Sequence, residues 1–89
     1  MFTTSRYASA ASVKLAKQLA SRANSSFTAR GKKTIAQLAQ SCRQDGDDRI
    51  NIVMEKEDMP AVLKTIEVLP SGKWHWLSQQ AIDVKETDK

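Results

Sequence analysis

The stretch TIAQLAQSCRQDGDDRINIVM, residues 34–54, carries the signals of a complete helix followed by a strand. Thr34 and Gln37 have the spacing of a capping box, in which each side chain bonds the backbone of the other at a helix start. Gly46 can adopt the left-handed conformation that ends a helix, and the run RINIVM indicates a strand covered on at least one face. The apolar stripe of the helix is Ile35, Leu38, Ala39 and Cys42. A helix leading directly into a strand indicates the α/β class.

The chain before this stretch predicts one more helix and two short strands. Residues 2–5 are β-branched and extended in character, and they predict a first strand. A helix follows, for which Ser9 is the expected N-cap. A short second strand is predicted around Phe27. The apolar positions at helical spacing in this first helix are Val13, Ala16, Leu19, Ala20 and Ala23.

The chain after this stretch predicts a hairpin. Residues 61–69 favour a strand, PSGK (residues 70–73) a reverse turn, and WHWLS (residues 74–78) a returning strand. The predicted order is β-α-β-α-β-β-β, a mixed sheet with two helices packed on it. We expect one domain over residues 1–82 and a polar tail over residues 83–89. The expected inward side chains of the first hairpin strand are Val62, Leu63, Ile66 and Val68.

Charge is distributed very unevenly along the 89 residues. Residues 1–44 hold eight Lys/Arg and no acidic residue, 8 − 0 = +8, whereas residues 45–89 hold six Lys/Arg and ten Asp/Glu, 6 − 10 = −4, which together give the net +4. This asymmetry indicates a basic face for a polyanion. The lone Cys42 forms no internal disulfide, which fits a reducing compartment such as the cytoplasm, or the nucleolus of a eukaryote. No apolar run is long enough to span a bilayer, so we expect no membrane partner.

The sequence offers little for catalysis. His75 is the only histidine and has no nucleophile or acid at the spacing of a nucleophile–base pair. His75 and Cys42 together fall short of the ligands that a zinc site takes. Neither phosphate-binding glycine motif, GxxxxGK[ST] or GxGxxG, occurs in the chain. We therefore expect no enzyme activity, no metal and no cofactor.

Two short segments predict a phosphate-binding corner. In TARGKKT, Gly31 lies among three cations just before a helix start, where free backbone amides attract anions. TTSR, residues 3–6, brings a hydroxyl and a guanidinium to the end of the first strand. If this strand and the one around Phe27 run parallel, both segments lie at the same edge of the sheet. A solvated turn is the alternative. The candidate RNA-binding residues are Thr4, Arg6, Lys14, Lys17, Arg30, Gly31, Lys32 and Lys33.

Trp74 and Trp76 are two residues apart on the last strand and therefore share one face. Aromatic side chains on a sheet can stack on unpaired bases. In a chain with 6% aromatic residues, the same pair can equally belong to the core or to a protein interface. We take Trp74 and Trp76 as candidate interface residues.

The segments TTSR, RGKKT, DRINIVMEKEDMP and IEVLPSGKWHWL, in this order and separation, resemble the Brix-domain family of ribosome-biogenesis proteins, especially its small archaeal members. Residues 3–6, residues 30–32 and Pro60 stand at the places of the family's motifs, and the resemblance covers residues 2–77. EDM, residues 57–59, stands where the family has Gly-Asn. The chain is long enough for only the first of the two similar halves of a Brix domain.

The resemblance implies a fold similar to the anticodon-binding domain of class II aminoacyl-tRNA synthetases, and rRNA binding during assembly of a ribosomal subunit. The second half would come from a partner chain or from a homodimer. Two other functions stay open. The chain could be a protein-interaction subunit of an RNA-processing complex, or a mitochondrial protein whose basic, acid-free start is a cleaved address.

Overall fold

A computed structural model of the protein describes residues 1–57 and 59–82; the predicted tail, residues 83–89, lies outside them. The four strands form one sheet in the order β1-β2-β3-β4. β1 runs parallel to β2, and the other two pairs are antiparallel. The sheet is therefore mixed, as expected. The elements are β1 (Phe2–Thr4), α1 (Ala10–Arg22), α2 (Ile35–Gln44), β2 (Arg49–Lys56), β3 (Met59–Val68) and β4 (Trp74–Ala81).

The predicted strand around Phe27 is wrong as an element. Phe27 forms only an isolated parallel bridge with Phe2. The Phe2 amide donates to the Ser26 carbonyl at 2.8 Å, and the Thr28 amide donates to the Phe2 carbonyl at 2.9 Å. Phe2 and Thr4 both turn their amide and carbonyl away from β2, but the Thr4 carbonyl accepts from the Arg30 side chain instead of from a backbone amide, so the pairing stops after one bridge. The observed order is β-α-α-β-β-β.

The two helices cover opposite faces of the sheet. Successive side chains of a strand point to opposite faces. Accordingly, Val53 packs against Leu15 and Ala16 of α1, whereas Ile52 belongs to the cluster under α2. That second cluster contains Met1, Leu38, Ala39, Cys42, Ile50, Ile66 and Val68. The molecule therefore has three layers, helix on sheet on helix.

Helix α1 begins at its expected cap but turns a different face inward. The Ser9 hydroxyl accepts from the Ser12 amide, as an N-cap does. The buried positions are Ser12, Leu15, Ala16 and Ala20, whereas Val13 is half-buried and Ala23 is exposed. The expected stripe is therefore displaced by about one position. The cause is Ser12, which faces inward because its hydroxyl donates to the Glu55 carboxylate.

Helix α2 matches its prediction except that Ile35 is half-buried at the margin of the core cluster. Thr34 and Gln37 form both bonds of the capping box. Leu38, Ala39 and Cys42 are buried. The helix ends at Gln44, and Gly46 has a φ of +77° in the turn that leads to β2.

The last hairpin leaves β4 uncovered on both faces. The Gly72 amide donates to the Leu69 carbonyl within the predicted turn, and every residue of β4 is exposed. Trp74 pairs with Val68 and Trp76 with Ile66, so both rings lie on the α2 side of the sheet. The exposed fraction is 40% for Trp74 and 58% for Trp76, which excludes a core role for the pair in this chain. Within residues 1–57 and 59–82, no helix is long and apolar enough to cross a membrane.

Candidate nucleic-acid interface

The two predicted basic segments meet at the C-terminal end of β1. The Lys33 carbonyl accepts a hydrogen bond from Nε of Arg30 at 2.8 Å and a longer one from Nε of Arg6 at 3.5 Å. The single bridge at Phe27 is enough to bring the following turn to this end, because it runs parallel to β1. We call Arg6, Lys17, Arg30, Lys32 and Lys33 the basic edge.

Arg30 fixes the turn to β1. Its Nη1 donates to the Thr4 carbonyl at 3.0 Å, in addition to the bond to Lys33. Thr4 itself is only 3% exposed, and its hydroxyl donates to the Ser5 carbonyl. The Thr4 side chain is therefore buried away from the surface at which we expected it to contact phosphate. Its carbonyl instead holds the Arg30 side chain in place.

Within the part of the chain that the structure describes, no carboxylate forms an ion pair with the basic edge. Burial and the neighbouring Arg6 guanidinium lower the pKa of Arg30. The bonds recorded for Arg6, Arg30 and Lys33 go to carbonyl oxygens, not to carboxylates. Arg30 is partly buried and Arg6 is exposed, and the repulsion between these two like charges is relieved when an anion binds. The edge is therefore electrostatically prepared for a phosphate.

The three lysines of the basic edge differ in whether a hydrogen bond holds the ammonium group. Nζ of Lys33 donates to the Ala29 carbonyl at 3.1 Å. Lys32 and Lys17 are exposed and make no hydrogen bond among the residues that the structure describes. Lys14 is exposed three positions before Lys17 on the same helix, so the two side chains extend one positive surface. Gly31 adopts a φ of +52°, which shapes the turn that presents these cations.

The helix starts are capped only in part from within the chain. At α2, the Thr34 amide donates to Oε1 of Gln37 and the Gln37 amide to Oγ1 of Thr34. At α1, the Ser9 amide donates to the Glu55 carboxylate at 2.9 Å. Since these caps take up only some of the first-turn amides, the side-chain cations and the remaining amides can both attract phosphate.

The sequence analysis missed two aromatic residues beside the basic edge. Tyr7 is 84% exposed, and Phe27 lies with it in the lining of a cavity of about 460 Å³. Lys17, Arg30 and Lys32 line the same cavity. A signal was available, because Tyr7 directly follows Arg6 in a stretch that has no acidic residue.

Trp74 and Trp76 lie away from the basic edge, on the far strand of the sheet. Nζ of Lys64 lies 5.1 Å from the ring centroid of Trp76. On the opposite face, Nε2 of His75 lies 2.9 Å from a carboxylate oxygen of Glu67. In the described part of the chain, no three His, Cys, Asp or Glu side chains gather as metal ligands would.

No family model and no curated protein matches the chain. Two solved structures share its fold. The crystal structure of a probable ribosomal biogenesis protein from Aeropyrum pernix K1 is 24% identical, with a TM-score of 0.83 over 92% of this chain and 46% of that chain. Mil, an archaeal Imp4-like protein, is 21% identical, with a TM-score of 0.68 over 74% of this chain and 42% of its own. The chain has the fold of part of each and spans less than half the length of either.

Proposed function

We propose that the protein is a non-catalytic RNA-binding factor in rRNA processing or ribosomal subunit assembly, and that the basic edge contacts the RNA backbone. One observation carries the proposal: Arg6 and Arg30 converge on one carbonyl with no carboxylate bonded to either. The neighbours named as ribosomal biogenesis and Imp4-like proteins support the biological setting, as does the resemblance to the Brix-domain family. We assign the activity to the cytoplasm, or to the nucleolus of a eukaryote. The similarity to anticodon-binding domains stays a prediction.

Binding follows from charge neutralisation. Each cation that contacts a phosphate releases condensed counterions from the RNA, so affinity falls steeply as salt rises. Arg30 is held by two carbonyls and is therefore pre-positioned, which reduces the entropy lost when phosphate binds. Lys17 and Lys32 have free ammonium groups as far as the structure describes them, and these add charge around that fixed point.

The test is RNA binding by the double variant Lys17→Glu/Lys32→Glu. Arg30 is left intact because its bond to the Thr4 carbonyl makes it part of the fold. The matched control is Arg43→Glu/Lys73→Glu, at exposed positions toward the other end of β2, where β2 begins and β3 ends. Both variants change net charge from +4 by −4 to 0, so they separate a local contact from total charge.

Fluorescence anisotropy with a labelled RNA stem-loop at several salt concentrations gives the answer. We expect the first variant to bind more weakly, with a salt slope shallower by about 1.4, because each lost single-strand phosphate contact contributes about 0.7. We expect the control to change much less. Equal losses in the two variants would refute the basic edge as the site.

A second candidate function, self-association, is supported by β4. All eight residues of this edge strand are exposed, and none of them is Asp, Glu, Lys or Arg. Natural edge strands are normally protected by such charges, so an uncharged edge is suited to pairing. We propose that β4 pairs antiparallel with β4 of a second copy, across a twofold axis.

Sedimentation analysis tests the dimer. Trp76→Lys places a charge in the middle of the pairing edge and should give a monomer. Met59→Lys adds the same charge at an exposed apolar residue outside β4 and should leave the dimer intact. A wild-type monomer at high protein concentration would refute this candidate.

The alternative of a cleaved mitochondrial address predicts a mature chain that begins after α1, which intact-mass measurement tests.

A further inference from the structure

A concave site lies beside the basic edge, between the β1–α1 connection, α1 and residues 27–32. Its volume is about 460 Å³, within the range of about 300–1,000 Å³ that is usual for small-molecule sites. Tyr7, Val13 and Phe27 give it an apolar lining. The cavity can therefore hold a flat apolar group the size of a nucleobase.

The same cavity has cations in its lining. Lys17, Arg30 and Lys32 contribute to it from α1 and from the turn. Nζ of Lys17 lies over the Phe27 ring, 5.5 Å from its centroid, so a positive charge and an aromatic surface meet in this lining. An apolar lining with adjacent cations matches a group that joins a flat ring to a phosphate.

Tyr7 has an unusual conformation for a large side chain. It is 84% exposed and has a φ of +57°, in the left-handed region that residues with side chains rarely adopt. Its ring makes neither a buried contact nor a hydrogen bond among the described residues that would explain this strain. Backbone strain of this kind clusters at functional sites, and of the three non-glycine residues with positive φ among the described residues, Tyr7 is the one in the lining of the cavity.

We propose that this cavity binds one unpaired nucleotide of RNA, with the base against Tyr7 and Phe27 and the phosphate at Lys17, Arg30 and Lys32. The inference rests on the proposed RNA-binding function and extends it from the backbone to a base. Bases in a duplex are stacked and paired, whereas those in loops and single strands can be splayed out onto aromatic side chains. The protein therefore prefers RNA that offers an unpaired nucleotide.

The test compares two substitutions of Tyr7. Tyr7→Asn removes the ring and keeps a residue that tolerates the left-handed region, so the fold is retained. Tyr7→Phe keeps the ring. The probes are a labelled single-stranded octanucleotide and a labelled blunt-ended RNA duplex, both measured by anisotropy at one salt concentration. A second octanucleotide carries a single 2-aminopurine, whose fluorescence is quenched when the base stacks.

We expect Tyr7→Asn to weaken binding of the octanucleotide by about 5-fold to 150-fold, the range for loss of one base–aromatic stack. Duplex binding should not change, and Tyr7→Phe should behave as wild type with both probes. Quenching of 2-aminopurine should occur with wild type and be lost in Tyr7→Asn.

Two results would overturn the inference, and they differ in what they leave standing. If Tyr7→Asn binds the octanucleotide as tightly as wild type while Lys17→Glu/Lys32→Glu weakens it, the base site is refuted and the proposed function is retained. If wild type binds neither probe, both are refuted. Thermal unfolding of Tyr7→Asn at or above the wild-type temperature confirms that any loss of binding does not come from misfolding.

Discussion

Glu55 connects the sheet to the start of α1 and therefore holds the segment that presents Arg6 and Tyr7. Its Oε2 accepts hydrogen bonds from the Ser9 amide at 2.9 Å and from the hydroxyls of Ser9 and Ser12. These donors, led by the Ser12 hydroxyl, lower the pKa of Glu55 below its usual 4.5. Glu55→Gln keeps the shape of the side chain and one acceptor oxygen but removes the negative charge. The substitution therefore measures how much that charge contributes to the hydrogen bonds with Ser9 and Ser12.

The expected loss is about 2 kcal/mol of unfolding free energy. A hydrogen bond to a charged group contributes about 1.5–3 kcal/mol, roughly twice the value for a neutral acceptor. The neutral amide oxygen of Gln therefore restores only part of the stabilisation that the carboxylate gains from its three donors. Ser12 is fully buried, so any donor left unpaired there adds its own desolvation cost. For a domain of this size, about 2 kcal/mol lowers Tm by about 8–16 °C.

Thermal unfolding followed by circular dichroism measures this loss, with Glu57→Gln, exposed at the next turn, as the control. The folded-state pKa of Glu55 lies below the unfolded value, so its stabilisation is present above about pH 4.5 and is lost as pH falls through the folded pKa. The gap between wild type and Glu55→Gln should therefore close in acid. Equal Tm values at neutral pH, or a gap that persists undiminished in acid, would refute the reasoning.

Three further outcomes follow from single residues. Thr3 is buried and its hydroxyl has no hydrogen-bond partner among the described residues, so Thr3→Val should raise the unfolding free energy by about 1 kcal/mol in urea titration; a fall would contradict this. Gly31→Ala should lower the unfolding free energy by about 1 kcal/mol, because φ at this position is +52°, even though a Cβ there would meet no other atom. Gly31→Asn should lower it by less, because Asn tolerates the left-handed region better than Ala does. Burial, and then Asp47, raise the pKa of the Cys42 thiol, so iodoacetamide should modify the native protein far more slowly than the urea-unfolded chain; similar rates would show that Cys42 is accessible.

Sequence signals were sufficient where a structure is fixed by neighbours along the chain. Helix α2 was predicted from cap to end, because Thr34 and Gln37 act on one turn at its start and Gly46 acts on the turn at its end. Phe27 was different, since whether its segment becomes a strand depends on how many free groups β1 offers. The inward turn of Ser12 was equally inaccessible, because its partner Glu55 lies 43 residues away.

The sequence was sufficient to predict which residues gather at the candidate site, but not what each side chain does there. The expectation of parallel strands indicated that Arg6 and Arg30 lie at one edge, and both side chains donate to the Lys33 carbonyl. Spacing could not reveal that Thr4 is buried, because exposure at a strand end depends on what covers it. The left-handed backbone at Tyr7 has no signature in the sequence, although the place of Tyr7 directly after Arg6 was visible there.

The two proposed surfaces lie at opposite sides of the sheet, so they make a joint prediction. A β4–β4 dimer would form one sheet of eight strands whose outermost members are the two β1 strands, separated by seven strand spacings of about 4.8 Å, or about 34 Å. Both basic edges would then be free to bind one long RNA, and the second contact would be intramolecular. Trp76→Lys should therefore weaken binding to an RNA long enough to span both edges, in spite of its added positive charge, and should leave binding to the octanucleotide unchanged. Met59→Lys should weaken neither. If Trp76→Lys weakens the octanucleotide as well, the Trp76 face itself contacts RNA, and the division between a binding edge and an assembly edge fails.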